Sequence, residues 1–324
     1  MIEAIQVRAH GGPEVLTRAS LDVPPPAPGE VRVRHTALGV NFIDVYYRTG
    51  LYNVALPYVP GHEGAGVVVA TGRGVRGFEA GDRVAYTMPG TGAYAAERNL
   101  PAAWLVRLPD TIDDAVAAAI MLKGLTTQVL LRRVYRVRRG DTVLVHAAAG
   151  GLGLIMTQWA RHLGATVIAA VGSDEKAELA LAHGAAHAIV IPREDLAERA
   201  RALTGGAGVR VVYDSVGKDT FTASLDCLQP LGLMVSFGNS SGAVPPFTAL
   251  DLNRRGSLFL TRPTVYHYFR KPGDLQRTAR ELFEVVGSGA VKVRIGQTYT
   301  LADAAQAHRD LEARRTTGST VLVP

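Results

Sequence analysis

The chain is poor in sulfur and in large aromatics, with one cysteine, Cys227, and two tryptophans in 324 residues. A lone thiol closes no internal disulfide and builds no cysteine-rich structural zinc site, which excludes a disulfide-stapled scaffold and fits a reducing compartment. No run reaches the roughly 18 uninterrupted apolar residues of a membrane-spanning helix. The opening MIEAIQVRAHGG has no basic segment followed by an apolar one. The expectation is a cytoplasmic protein, neither exported nor inserted in a membrane. Neither charge sign dominates: 35 Lys and Arg against 29 Asp and Glu leave a formal net charge of +6. The basic residues are scattered apart from RRVYRVRR at 132–139 and two Arg pairs. That pattern suits a solvated face or an anionic cofactor better than nucleic acid.

Glycine, by contrast, is abundant, at 35 of 324 residues. That is about 11% against an average of about 7%, so many backbone positions need tight turns or close ligand approach. The length suggests two domains of roughly 150 residues. With 47% hydrophobic and 20% charged residues the balance is globular, which argues against long disordered stretches.

The middle of the chain is the most regular. Short β-branched runs at 142–145, 166–171, 188–191, 209–214, 233–237 and 258–261 recur every 22 to 25 residues or so. Each interval holds one strand, one helix and two turns. Runs that are apolar throughout belong in a parallel sheet covered on both faces, so a six-stranded doubly wound domain is predicted. Ile155, Met156, Trp159, Ala160 and Leu163 form a helical stripe between the first two runs. Ser173 and Asp174 can cap a second helix over 175–183, which Gly184 stops. The first 120 residues instead carry strand-like stretches at 31–37, 66–70, 83–87 and 92–97 among Gly and Pro turns, the pattern of an antiparallel barrel. Past 261, helical patterns at 275–286 and 301–313 and a strand-like 320–323 suggest a return to the first domain.

Directly after the first central strand comes His146-Ala147-Ala148-Ala149-Gly150-Gly151-Leu152-Gly153, and the amphipathic helix follows at once. Side chains at Gly150 or Gly151 would hold a pyrophosphate away from the helix-start amides, and Gly153 lets helix and strand approach closely. Dinucleotide binding is the reading. The second strand ends in Gly172-Ser173-Asp174-Glu175-Lys176. There Gly172 leaves room, Ser173 can donate a hydrogen bond and Lys176 can neutralise a 2′-phosphate, which favours NADPH over NADH. Asp174 and Glu175 read either way, since acids also favour a helix N-terminus. Gly238 to Gly242 matches the G-x-S-x-G of serine hydrolases, but Pro245 and Pro246 oppose the helix that motif needs. Gly238, Asn239, Ser240 and Ser241 are expected at the cofactor, or else in a solvated turn.

The chain is identified as resembling the zinc-free quinone oxidoreductase, or zeta-crystallin-like, group of the medium-chain dehydrogenase/reductases. HGGPEVL at 10–16, GVNFIDVYYRTGLY at 39–52, KGLT at 123–126, HAAAGGLG at 146–153, VVYDSVG at 211–217, SLDCLQPLGLMVSFGNSSGA at 224–243 and GSLFLTRP at 256–263 carry the resemblance end to end. It implies an α/β chain with a GroES-like β-barrel catalytic domain over 1–122 and 263–324, and a Rossmann NADPH-binding domain over 123–262. It also implies an active cleft between the domains and a homodimer. Cofactor contacts are implied at Asn41, Phe42, Leu152, Val216 and Phe237 besides the glycine turn, and at Lys176 and Arg314 for the 2′-phosphate. Many relatives add tyrosines where this chain has Ile191, followed by Pro192, and Val129.

Zinc-dependent relatives carry a Cys-x-x-Asp-His arrangement where this chain reads Asn41-Phe42-Ile43-Asp44-Val45. Gly61-His62-Glu63 keeps a second part of that site. One His and one Glu without a thiolate make a poor catalytic zinc site, so no metal is expected and His62 and Glu63 read as packing or polar-network residues. Asn41 is the leading candidate for orienting the nicotinamide or a quinone oxygen. Tyr46 and Tyr52 serve as aromatic walls or as ordinary packing, and Lys123 either polarises an oxygen or caps the connection between domains. The implied activity is reduction of a quinone or another small electrophile by NADPH. Reduction of an enone or alkenal C=C bond is the alternative, and nucleic-acid or structural binding ranks third.

Overall fold

The computed structural model describes residues 1–191 and 193–324. Pro192 lies outside them. The chain divides into two compact units, one of Met1–Leu125, Lys271–Gly287 and Val293–Pro324, the other of Thr126–Arg270 and Ser288–Lys292. The sequence suggested changes after 122 and 262; the units change after Leu125 and Arg270. Local bonds account for the difference. Lys123 pairs with Glu63 and stays with the first unit, while Arg133 Nη1 donates to Tyr268 O at 2.7 Å and keeps that segment in the second. Gln158 holds Lys292 through two bonds to its backbone.

The first unit begins with β1 (Ile2–Gln6) and β2 (Thr17–Leu21), an antiparallel pair with no counterpart in the sequence reading. β3 (Glu30–Val40) leads through Asn41 into α1 (Phe42–Arg48), followed by β4 (Glu63–Thr71), β5 (Arg83–Thr87), β6 (Glu97–Pro101) and β7 (Leu105–Arg107). Along β3, burial alternates through Val31, Val33 and His35, then becomes continuous from Ala37 to Val40, where another strand covers its second edge. The strand expected at 92–97 starts only at Glu97. Residues 92–95 turn inward instead, placing Tyr94 in the core and pairing Ala95 with Ala4. α2 (Asp114–Val129) continues through a π turn to Val134. By length and composition this helix passes as a membrane span, yet 72% of its apolar window is buried inside the fold.

The second unit contains β8 (Thr142–His146), α3 (Gly151–His162), β9 (Thr166–Val171), α4 (Asp174–Ala182), β10 (His187–Val190), α5 (Leu196–Leu203), β11 (Val209–Asp214), α6 (Phe221–Asp226), β12 (Leu228–Ser236), α7 (Ala249–Arg254) and β13 (Phe259–Thr261). Its sheet runs β10-β9-β8-β11-β12-β13 and every pairing is parallel. The order reverses between β8 and β11, the place where such sheets bind ligands beyond their strand ends. Cys227 packs in this core, where burial pushes its thiol up to about 12.

The chain then adds α8 (Asp274–Gly287), β14 (Ile295–Thr300), α9 (Ala304–Glu312) and β15 (Ser319–Val323) to the first unit. β15 lies antiparallel to β3 and parallel to β14, giving the order β14-β15-β3-β4-β5-β7 with β6 also on β3. β14 was not read from the sequence, because IGQTYT alternates between half-buried and exposed positions and has little apolar signal.

Candidate functional site

In the first unit the structure gathers Asn41 and Lys123 on one carboxylate. Glu63 is fully buried at the start of β4. Its Oε1 accepts from Asn41 Nδ2 at 2.7 Å and Lys123 Nζ at 2.9 Å, and its Oε2 accepts from Leu122 N at 2.6 Å. Gly39 makes room for it, since a Cβ there would lie 2.2 Å from Oε1. Lys123 is 8% exposed and is held in place by its ion pair with Glu63. Asn41 is 8% exposed and its amide nitrogen already donates to Glu63.

A second buried acid, Asp44, organises the other side of α1. Asn41 N donates to its Oδ2 at 2.9 Å, half of a capping box that fixes the helix start. Tyr94 OH donates to the same oxygen at 3.0 Å, and His62 Nδ1 meets Oδ1 at 2.7 Å. Tyr94 OH also meets His308 Nε2 at 3.2 Å, and His308 Nδ1 lies 3.3 Å from Arg48 Nη1. Arg48 forms a two-pronged pair with Glu312 at 2.7 and 2.8 Å. The Arg48 donor fixes the His308 tautomer. Arg48 only donates, so His308 Nδ1 accepts and its proton sits on Nε2. Asp44 accepts from His62 Nδ1, and His62 Nε2 is buried with no hydrogen-bond partner among the described residues. Burial holds His308 neutral, with its pKa lowered to about 4.

Aromatic rings line the same region. Phe42 meets Tyr46 at 6.3 Å, Tyr46 meets Tyr52 edge-on at 5.3 Å, and Tyr47 stacks on His62 at 5.1 Å. Phe42, Tyr46 and Tyr52 are thus neighbours. Asp44, Tyr47, Tyr94 and His308 were not singled out in the sequence; only the D of the NFIDV motif was a signal, and Tyr94 and His308 lie far along the chain from it.

In the second unit, Ala147 adopts a left-handed φ of 48°, unusual for a residue with a Cβ, and turns the chain from β8 into α3. Gly150 caps that helix. A Cβ on Gly153 would lie 2.3 Å from Ala147 O, so the close approach expected of this glycine is present. The turn rests on a buried polar set. His146 Nε2 meets Ser224 Oγ at 2.8 Å, and Ser224 Oγ and Thr220 Oγ1 donate to Asp214 Oδ2 at 3.0 and 2.7 Å. Asp214 Oδ1 accepts from Val216 N and Gly217 N at 2.7 and 3.0 Å, which fixes the loop carrying Val216. Burial lowers the His146 pKa.

The loop after β12 is zipped to that one. Gly238 packs so closely that a Cβ would lie 2.2 Å from Ser215 O, and Ser240 N donates to the same oxygen at 3.3 Å. Ser241 Oγ donates to Val216 O and accepts from Asp219 N, so its hydroxyl serves the turn itself. No helix follows until α7, which removes the hydrolase elbow. Asn239 and half-buried Phe237 flank Gly238, and with its amide nitrogen facing Gly238 O the Asn239 side chain also accepts from Arg262 at 3.0 Å. Gly172 has open space around it, and Ser173 Oγ accepts from Lys176 N at 3.3 Å. Half-buried Leu152 opens α3 beside Gly151. Arg314 belongs to the first unit, exposed just past α9 with a left-handed φ of 58°.

Two family models match the chain: "Alcohol dehydrogenase GroES-like domain" over residues 27–110 and "Zinc-binding dehydrogenase" over 151–286. A quinone oxidoreductase of Pseudomonas aeruginosa is 52% identical over the whole of both chains. The chain belongs to the quinone oxidoreductase family of medium-chain dehydrogenase/reductases. Among its other relatives is a 2-haloacrylate reductase of a Burkholderia species, 45% identical over 100% of this chain and 99% of that one. The solved structure of Escherichia coli quinone oxidoreductase complexed with NADPH superposes with a TM-score of 0.98 at 48% identity, covering 99% of this chain and 100% of that one.

The second family model carries zinc in its name, and the donor chemistry of this family member does not fit zinc. The Glu63 carboxylate already holds an ammonium, an amide and a backbone N–H, and His62 turns Nδ1 to Asp44. The first unit has no cysteine, since the only one, Cys227, lies in the core of the second. Among the described residues no group of three or more His, Cys, Asp and Glu side chains converges.

Proposed function

We propose that the protein is a zinc-independent NADPH:quinone oxidoreductase. The observation that carries this reading is the Glu63 site, where the Lys123 ammonium sits on the carboxylate that a metal-dependent dehydrogenase would need open. With no Lewis acid fitted to the donors, the acceptor must activate itself. A quinone does so, because its conjugated carbonyls delocalise incoming charge and the product aromatises. Positioning and a few hydrogen-bond donors then suffice. NADPH supplies the hydride when bound. In the second unit the amides after Gly150 and Gly151 face its pyrophosphate, Lys176 takes its 2′-phosphate, and the loops at Val216 and Phe237 to Ser241 receive its nicotinamide half. Asn41, Tyr46, Tyr52 and Lys123 orient the acceptor; Asn41 does so from a position fixed by Glu63.

The full-length relationship to quinone oxidoreductases supports this reading. A homodimer fits the exposed sheet edge at β13, where Phe259 is 60% exposed, and on the neighbouring β12 Leu231 is 55% exposed. A cytoplasmic location fits the single buried thiol. The test follows absorbance of reduced nicotinamide with benzoquinone and naphthoquinone. Turnover with NADPH is expected, and no enzyme-dependent consumption with any quinone across pH 5–9 or so rejects the proposal.

One observation favours a second reading, reduction of an activated C=C bond: the relative named 2-haloacrylate reductase at 45% identity. That reaction needs a proton at the α-carbon as well as hydride. Comparing kcat/KM for quinones and for α,β-unsaturated acids and aldehydes separates the two.

A further inference from the structure

The acid that opens α4 poses a problem of charge. A carboxylate just beyond the second strand of a doubly wound sheet favours the free ribose hydroxyls of NADH, and it repels a 2′-phosphate. Asp174 stands there, two residues past Gly172. Its charge is not left bare. From the loop after β10, Arg193 reaches across and forms a two-pronged pair with it, Nη1 to Oδ2 at 2.8 Å and Nη2 to Oδ1 at 2.7 Å.

The backbone that carries Arg193 is anchored next to β9. Val190 pairs opposite Val171, and Ile191 N donates to Val171 O at 3.0 Å. Arg193 N and Glu194 N both donate to Val190 O, at 2.9 and 3.0 Å, while the Glu194 carboxylate accepts from Val190 N at 2.8 Å. Arg193 is therefore held one strand over from Gly172, Ser173 and Lys176. The side chains of the pair are 60% and 67% exposed, so the bridge adds little to stability and its placement at the strand ends calls for another role. Holding Asp174 uses one N–H on each terminal nitrogen, and the planar fork has five in all, enough to face a second anion at the same time.

We propose that Arg193 is the residue that sets the preference for NADPH, neutralising Asp174 and offering its remaining N–H groups to the 2′-phosphate. Asp174 then orients the arginine instead of reading the ribose hydroxyls. This rests on the NADPH reading of the site and adds a specificity-determining residue to it.

The test measures kcat/KM with a quinone for NADPH and for NADH separately, together with titration of each by the fluorescence of reduced nicotinamide. Arg193→Gln is expected to lower the NADPH/NADH ratio about tenfold, mainly through KM for NADPH. Arg193→Lys should keep part of the ratio, because the charge remains and the fork is lost. Adding Asp174→Asn to Arg193→Gln should recover part of it, since the bared carboxylate is removed. Raising salt should shrink the wild-type ratio. An unchanged ratio in Arg193→Gln, or equal losses with both cofactors, overturns the assignment and leaves the reductase reading standing. A wild-type chain that takes up neither dinucleotide overturns both.

Discussion

The two units hold their polar groups in opposite ways. In the first, Asn41, Asp44, Arg48, His62, Glu63, Lys123 and His308 are all buried and held in hydrogen-bonded networks, so the candidate site residues Asn41 and Lys123 are also part of the core. In the second, β8, β9 and β11 are apolar almost throughout, and polar groups appear where two of them end, at His146 and Asp214, both met by Ser224 from α6. One unit couples stability to its site. The other separates an apolar sheet from polar loops at its strand ends, where we propose the cofactor binds.

Acid is the broadest way to break that contrast. Burial lowers both His35 and His308 to about 4, from 6.5, and both are in the first unit. The unfolded chain takes up these protons first, so their contribution is complete above pH 6.5 and is lost as pH falls toward 4. The loss is on the order of 3 kcal/mol for each histidine. The two tryptophans report the units separately, Trp104 the first and Trp159 the second. Urea unfolding of Trp104→Phe and Trp159→Phe variants at pH 7.5 and 4.5 should show the larger shift in the Trp104 signal. In the second unit His146 is lowered too, but the Asp214 charge opposes the shift.

Next in size is Glu63→Ala, which takes the paired carboxylate from the buried Lys123 ammonium and should cost about 3–5 kcal/mol. Measured through Trp104 in the Trp159→Phe background, a loss under about 1 kcal/mol would mean the pair is solvated and the contrast false. Gly153→Ala sharpens the other half. Its Cβ would meet Ala147 O at 2.3 Å and force the turn to move, costing up to about 3 kcal/mol and weakening NADPH titration more than tenfold. Native NADPH affinity in this variant would show that the turn is not where the cofactor sits. The smallest effect is expected for Ser224→Ala, about 1–2 kcal/mol, because only His146 Nε2 and one Asp214 lone pair lose a partner. Thermal unfolding followed by circular dichroism measures it.

The same contrast explains what could be read in advance. The six central strands are visible because each run is apolar on both faces and recurs at one interval. Their observed limits at β9 and β11 coincide with the runs themselves. β12 begins at Leu228, earlier than its apolar run, because Leu228 pairs with Val209 across an irregularity that sequence does not mark. In the first unit local pattern says less. Gly92 to Ala95 reads as strand because it is small and apolar, yet three turn bonds to Pro60 and Gly61 fold it inward. Asn41, Tyr46, Tyr52 and Lys123 came from family resemblance. What joins Asp44 to Tyr94 and His308 is tertiary proximity across 50 and more than 200 residues, which no spacing rule encodes.

The sealed position of Cys227 has a chemical consequence for such an enzyme. Quinones and conjugated alkenes are arylating and alkylating agents, and thiolates are their preferred targets. The one sulfhydryl here lies in the sheet core with its ionisation pushed to about 12. The one thiol of the chain is therefore kept both protonated and covered, the two conditions that disfavour its capture by an electrophilic substrate.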